Sequence, residues 1–161
     1  VANKHPGTFF AVSAAALLAD QASKYAISGF LKQRASWSFD IFRYFSLTLV
    51  RNTGICFGML SGMNLRYFII AASLFIAAFI AIYMYRHKTK AVRVQTALGM
   101  IEGGILGNMA DRIRVCAVID FINLHFWPVF NIADILIVSG IFIMLLEHTR
   151  GKDVSGVSEN R

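Results

Sequence analysis

The chain has 161 residues, 57% of them hydrophobic, and a formal net charge of +7. A soluble domain of this length cannot hide so much apolar surface, and a mean hydropathy of +0.58 points the same way. The apolar residues collect in long runs with Lys and Arg at their flanks. The positive balance therefore reads as membrane anchoring and topology signal rather than as a nucleic-acid surface.

The first span is expected at 8–27. Asp20 and Lys24 lie four apart within it, the acid on the N-terminal side, the favoured order for a pair on one helical face. Because it holds both charges, this run reads as a retained span and not as a cleaved signal peptide. Segment 28–65 is too long for a simple turn and too polar for a span. Within it Phe45-Ser46-Leu47-Thr48-Leu49 alternates as a half-buried strand does, and Asn52-Thr53-Gly54 follows as a turn. The expectation is a small sheet lying on the membrane face.

Tyr67 to Tyr85 contains no charged residue, and these nineteen positions cover roughly 28 Å as a helix, close to the thickness of a hydrocarbon core. That is the second span, 67–85. Residues 86–93 then carry four Lys or Arg, a cytoplasmic-loop signal. The third span, 94–110, contains Gly99, Gly103, Gly104 and Gly107, and the Gly103/Gly107 spacing permits close helix contact. The fourth span is expected at 130–146, followed by a polar tail at 147–161. A cytoplasmic 86–93 loop puts both termini in the cytoplasm and segments 28–65 and 111–129 on the outer face. Lys32, Arg34, Arg43 and Arg51 fall in the first of these, so the charge bias rests on density. The fold class expected is a mainly α membrane protein: four transmembrane helices with a small extracytoplasmic β-sheet, one domain over 1–161.

With that topology the polar residues gather at one end. Asn108, Asp111 and Arg112 close the third span, Asp120 lies in the loop, and Asn131 and Asp134 open the fourth. Asn52 enters from the surface segment, and Asp20 and Lys24 reach the same level. Each buried polar group needs a partner, which makes such a gathering hard to explain by packing alone. An ionised Asp at the centre of a membrane helix costs about 2.5–3.5 kcal/mol, so it is usually paired or functional. Asp120 and Asp134 brought together can share one proton, as a water-activating acid/base pair requires. The plainer alternative is that each Asp caps a helix.

Other chemistries fit less well. No His pair or HExxH suggests zinc, and Cys56 and Cys116 match no metal spacing, so free thiols are the default. Ser23 and Lys24 are adjacent on a helix and face apart. His125, among aromatics, reads as a loop residue. Glu102 lies in mid-span, either as a packing residue or as a proton-coupling carboxylate.

Taken together these blocks resemble the lipoprotein signal peptidase family, the aspartic signal peptidases II of bacteria. The resemblance is carried by Asp20-Gln21-Ala22-Ser23-Lys24, by Asn52-Thr53-Gly54 with Phe57-Gly58, and by Gly104-Ile105-Leu106-Gly107-Asn108 running into Asp111-Arg112. Val118-Ile119-Asp120-Phe121 and Phe130-Asn131-Ile132-Ala133-Asp134 complete it. It implies four helices in the inner membrane, a surface sheet and a short outer helix near Phe121–Phe126. It also implies a diacylglyceryl-modified prolipoprotein as substrate, cut just before the lipidated cysteine.

By position, Asp120 and Asp134 match the catalytic dyad. Asp20, Lys24, Asn52, Gly54, Gly104, Asn108, Arg112, Asn131 and Ala133 match positions that support the site or contact substrate. Gly54 and Gly104 are expected to let substrate approach the backbone. The resemblance implies no cofactor and no metal. The partners it implies are lipidated prolipoproteins, membrane lipids and cyclic-peptide inhibitors, with no nucleic acid, for a monomeric enzyme. Ile55-Cys56, Ile135 and Glu102 depart from the family's usual pattern. The alternatives are a small proton-coupled transporter using Glu102 and the Asp20–Lys24 pair, and a catalytically silent scaffold subunit.

Overall fold

The computed structural model describes residues 6–34, 36–54, 66–87 and 91–158. Cys56 and the Phe57-Gly58 block lie outside them. The elements in chain order are α1 (Gly7–Gln33), β1 (Ser38–Phe42), β2 (Phe45–Asn52), α2 (Arg66–His87), α3 (Val92–Val115), β3 (Val118–Asn123) and α4 (Ile132–Ser158).

Helix α3 is the centre, and the other three helices pack on it. Its glycines make this possible. A Cβ at Gly99 would strike the Phe9 carbonyl, one at Gly103 would strike Ala16 and the Ser13 carbonyl, and one at Gly107 would strike the Asp20 carboxylate. Positions 99, 103 and 107 thus run alongside 9, 13–16 and 20, so α1 and α3 are parallel and in near-backbone contact. On another face Gly104 lies against Ala133, and Gly140 lies against Ala97, which makes α4 antiparallel to α3. Small residues bringing backbones together in this way are the usual glue of helices in lipid.

The bundle is divided along its axis. At one end Phe9, Ile80 and Met84 form an apolar core with Leu98, Ile101 and Ile105 around it. At the other end Asp20, Lys24, Asp111, Asp120 and Asn131 are buried. Helices α2 and α4 contain stretches, Arg66–Arg86 and Ile132–Thr149, long and apolar enough to cross a membrane, and most of their side chains there face outward. Phe68, Phe75, Phe79, Val138 and Phe142 are exposed large apolar residues of that kind. Helices α1 and α3 instead carry buried ionic groups, so apolarity alone does not single them out.

The strands form one antiparallel sheet in the order β1-β2-β3. The alternating run at 45–49 is β2, as its pattern implies, and a tight turn at 43–44 pairs it with β1. Strand β3 comes from the segment after α3. Here the expected short helix near Phe121–Phe126 is absent: residues 118–123 are strand, Val50 faces Asp120 in the register, and Ile122 bridges Phe130. The backbone amides of Val118–Asn123 find partners across the sheet, which a local helix would forfeit. The helix boundaries differ too. Helix α3 continues past residue 110 to Val115, ended by Cys116 in the left-handed region (φ 63°), and α4 extends well past 146 into the stretch read as a tail.

Candidate active site

Register places the first carboxylate. Asp120 pairs with Val50, and Asn52 lies two residues further along β2 on the same face, within diagonal reach. The Asn52 amide accordingly donates to Asp120 Oδ2 at 3.1 Å. The Asn52 side-chain oxygen, Oδ1, in turn accepts the Gly54 amide at 3.0 Å, closing the turn read from Asn52-Thr53-Gly54.

Helix capping places the second. Asn131 stands just before α4 and its Oδ1 accepts the Asp134 amide at 3.0 Å, while Asp134 Oδ2 accepts the Asn131 amide at 3.1 Å. This reciprocal capping box sets Asp134 in the first turn, where the helix dipole favours a negative charge. The capping alternative is therefore right for Asp134 and wrong for Asp120, which sits on a strand. Capping also does not use up Asn131. Its Nδ2 donates to Asp120 Oδ1 at 2.6 Å, so one residue holds both carboxylates, Asp120 through its side chain and Asp134 through its backbone amide. The strand and the helix are further tied where Phe121 and Ile122 donate to the Phe130 carbonyl at 3.0 and 2.8 Å.

Asn108 is the second junction. Its Nδ2 donates to Asp134 Oδ1 at 3.0 Å, and its Oδ1 accepts from Lys24 Nζ at 3.0 Å and from Asn131 Nδ2 at 3.1 Å. The Asp20–Lys24 pair forms as its spacing implies, at 2.8 Å and with both side chains fully buried. Asp20 also reaches across the bundle, its Oδ1 accepting the Ala133 amide at 3.0 Å. That satisfies one of the free amides at the start of α4 from a residue 113 positions away in sequence.

Arg112 donates to the Gly54 carbonyl at 3.0 Å and to the Asn108 carbonyl at 3.4 Å, joining the end of β2 to α3. Gly104 departs from expectation. A Cβ there would meet the Ala133 carbonyl and Ile137, so this glycine serves the α3–α4 contact and does not leave backbone open to substrate.

Three participants were not singled out from sequence. Asp111, quoted in a motif without a role, forms a second fully buried ion pair with Lys24 at 2.8 Å. Gln21 donates to Asp20, to the Gly107 carbonyl and to Asp111 at 3.1–3.2 Å. Arg66, at the start of α2, donates to the Arg112 and Ile113 carbonyls at 3.0 and 3.1 Å and so caps α3. The signal for Asp111 was its place four residues after Gly107 on the face turned to α1. Arg66 offered none, since its partners are backbone atoms. His125 is exposed in the loop, as read.

Burial raises the Asp120 carboxyl from its ordinary 3.8 to about 6, and the Asp134 carboxylate pushes the same way. The Asn52 and Asn131 amides and the Lys24 ammonium act against this without cancelling it. The site therefore holds two carboxylates from separate elements, bridged by one asparagine, one of them with its proton affinity lifted toward neutrality. Such a pair can accept a proton at one group while donating from the other.

The fold as a whole is similar to that of solved membrane enzymes. A solved structure described as a bacterial membrane enzyme, at 2.3 Å resolution, superposes with a TM-score of 0.79 at 25% identity, covering 91% of this chain and 90% of that one. Another, at 1.9 Å, gives 0.75 at 25% identity over 88% of this chain and 92% of that one. The fold and site define a helical membrane enzyme. The chain belongs to the signal peptidase II family, whose profile, described as Signal peptidase (SPase) II, matches residues 12–150. The lipoprotein signal peptidase of Pelotomaculum thermopropionicum is 32% identical over 152 residues, covering 94% of this chain and 98% of that protein. That of Rhizorhabdus wittichii is 37% identical over 158 residues, covering 94% and 91% respectively.

Proposed function

We propose that this protein is a membrane-embedded aspartic endopeptidase that removes the signal peptide from diacylglyceryl-modified prolipoproteins, cutting just before the lipidated cysteine. The observation that carries the proposal is Asn131 holding Asp120 and Asp134 together, 2.6 Å from one and in a capping box with the other. Membership of the signal peptidase II family supports a signal-peptide substrate.

In this reading the pair carries one proton between its two groups, which titrate as a unit. The ionised carboxylate takes a proton from water as the water oxygen bonds to the scissile carbonyl carbon. The protonated carboxylic acid hydrogen-bonds the carbonyl oxygen as negative charge develops there. The tetrahedral species then collapses, the C–N bond breaks and the leaving amine takes up a proton. The products are a signal peptide ending in a carboxylate and a lipoprotein beginning with its lipidated cysteine.

The protein in this reading crosses the cytoplasmic (inner) membrane with all four helices, both termini in the cytoplasm and the sheet on the outer surface. Fully paired ions at Asp20–Lys24–Asp111 let α1 and α3 tolerate the bilayer. Trp37, Ile41, Phe42 and Tyr44 on and beside the first hairpin, with Phe126 and Trp127 in the loop after β3, are exposed and suit the interfacial layer. A bilayer-level site fits a substrate whose cysteine is anchored there by its acyl chains.

The test is cleavage of a diacylglyceryl-modified prolipoprotein by purified protein in detergent, with Asp120→Asn and Asp134→Asn alongside wild type. The expected result is cleavage before the lipidated cysteine by wild type and none by either folded variant. Near wild-type activity in either variant overturns the two-carboxylate mechanism. A wild type that never cleaves returns the transporter and scaffold alternatives.

A further inference from the structure

Among the buried acids outside the reacting pair, Asp111 has the widest reach. Its side chain is fully buried near the end of α3. Oδ2 pairs with Lys24 Nζ at 2.8 Å and accepts the Ile119 backbone amide at 3.2 Å. Oδ1 accepts from Gln21 Nε2 at 3.2 Å and from Arg114, whose guanidinium is half exposed, at 3.1 Å. One carboxylate thus gathers α1, α3 and β3.

Two short paths run from it to the candidate site. The Ile119 amide belongs to the residue just before Asp120, so Asp111 fixes the strand at the point where that carboxylate leaves it. Lys24, held by Asp111, donates to Asn108, and Asn108 donates to Asp134. Asp20 has no equivalent position: it shares Lys24 and reaches α4 through Ala133, but its hydrogen bonds do not include β3.

We infer that Asp111 is a positioning residue for the reacting pair, setting Asp120 through the Ile119 amide and Asp134 through Lys24 and Asn108. The inference rests on the two-carboxylate reading above. Asp111 forms no hydrogen bond with either carboxylate among the described residues, so it acts on catalysis through the groups it holds. It also balances charge. The groups facing Asp120 are Lys24 from α1, Asn52 from β2, Asp134 from α4, Asn131 just before it, and from α3 the Asn108 amide that joins Lys24 to Asp134. Arg51 of β2 alternates to the other face and is exposed. Asp20 and Asp111 both face Lys24, and Arg114 is the further cation on Asp111. With Asp111 neutralised, Lys24 is offset by Asp20 alone and its field holds Asp120 more strongly in the ionised form.

The experiment uses the full chain in detergent with the same lipidated substrate, and compares Asp111→Asn and Asp111→Glu with wild type and with Asp120→Asn and Asp134→Asn. Asp111→Asn keeps an acceptor for the Ile119 amide but removes the charge. Its kcat is expected to fall about tenfold or more with KM changed less than about threefold, as befits a loss felt only in the transition state. The alkaline limb of its kcat profile is expected to move to lower pH by about half a unit. Asp111→Glu keeps the charge but displaces it by one methylene, so kcat falls while the limb returns to the wild-type pH.

A profile unmoved in Asp111→Asn, with kcat reduced only in step with the folded fraction, overturns the inference. So does failure of both variants to fold, since Asp111 would then serve stability alone. If Asp120→Asn or Asp134→Asn cleaves normally, the two-carboxylate reading itself has failed. If both are inactive while Asp111→Asn matches wild type, this inference alone has failed.

Discussion

Asp120 is subject to opposed influences whose balance can be measured. Burial and the Asp134 charge raise its carboxyl to about 6, against the two amides and Lys24. Because this folded-state value lies above the ordinary 3.8, the contribution to stability is fully present below 3.8 and lost as pH rises through about 6. A shift of that size corresponds to about 3 kcal/mol at full expression. Asp120→Asn should therefore raise the unfolding temperature in detergent at pH 8, with the gain shrinking toward pH 4; an equal effect at both pH values would refute the assignment. Activity should decline on the alkaline side as the shared proton is lost, at or above about pH 6, in a kcat/KM profile. At this scale the sequence was informative about which residues meet, because intramembrane charges and amides are too costly to leave unpaired. It said little about which atoms meet. That Asn131 serves both carboxylates follows from a capping geometry and a strand register that only the assembled fold supplies, and Asp111 could not be ranked above Arg112 without seeing Ile119 beside it.

Among elements, α3 shows how close approach and polar chemistry share one helix. Gly103 faces backbone and Cβ atoms of α1 that cannot swing aside, whereas Gly29 near the end of α1 faces open space. Gly103→Ala is expected to destabilise by about 1–3 kcal/mol through overpacking. Gly29→Ala is expected to be neutral or to stabilise by up to about 1 kcal/mol, since alanine is the better helix former. Thermal unfolding of both variants checks the contrast, and equal losses would mean that the α1–α3 contact is looser than the structure has it. Glu102 lies on the same helix, buried, with no hydrogen-bond partner for Oε2 among the described residues. It stands six residues before Asn108, about 9 Å of helix rise from the site end. Glu102→Ala should retain cleavage in the same assay, and near-total loss would restore the proton-coupling alternative. The helices were legible because their apolar runs are long and the glycine spacing is regular. Strand β3 was not: Val118-Ile119-Asp120-Phe121 follows a helix closely, and what makes it a strand is β2, more than sixty residues earlier.

For the whole molecule, the division between an apolar end and a polar end implies an orientation in the bilayer. The apolar core joins the start of α1, the end of α2 and the first half of α3, near the end of the bundle where α2 carries Arg86 and α3 carries Arg93. The polar end joins the end of α1, the end of α3 and the start of α4, and the sheet sits there. In the proposed reading the basic loops remain on the cytoplasmic side, which puts the sheet and site outside. The run 67–85 was legible from its lack of charge alone, whereas the spans expected at 8–27 and 94–110 had to be read despite charged residues in and next to them, of which Asp20, Lys24 and Asp111 are paired with one another in the structure. Cys116, exposed just after α3, offers a test at the polar end. In a Cys56→Ser background, a membrane-impermeant maleimide should label Cys116 on spheroplasts. A cysteine at the exposed position of Ala91, just before α3, in a chain also carrying Cys116→Ser, should be labelled only after the membrane is opened. The reverse pattern would invert the topology and put the two carboxylates on the cytoplasmic side. Labelling of both positions on intact spheroplasts would mean that α3 does not cross the membrane, and the paired ions of α1 and α3 would then need another explanation.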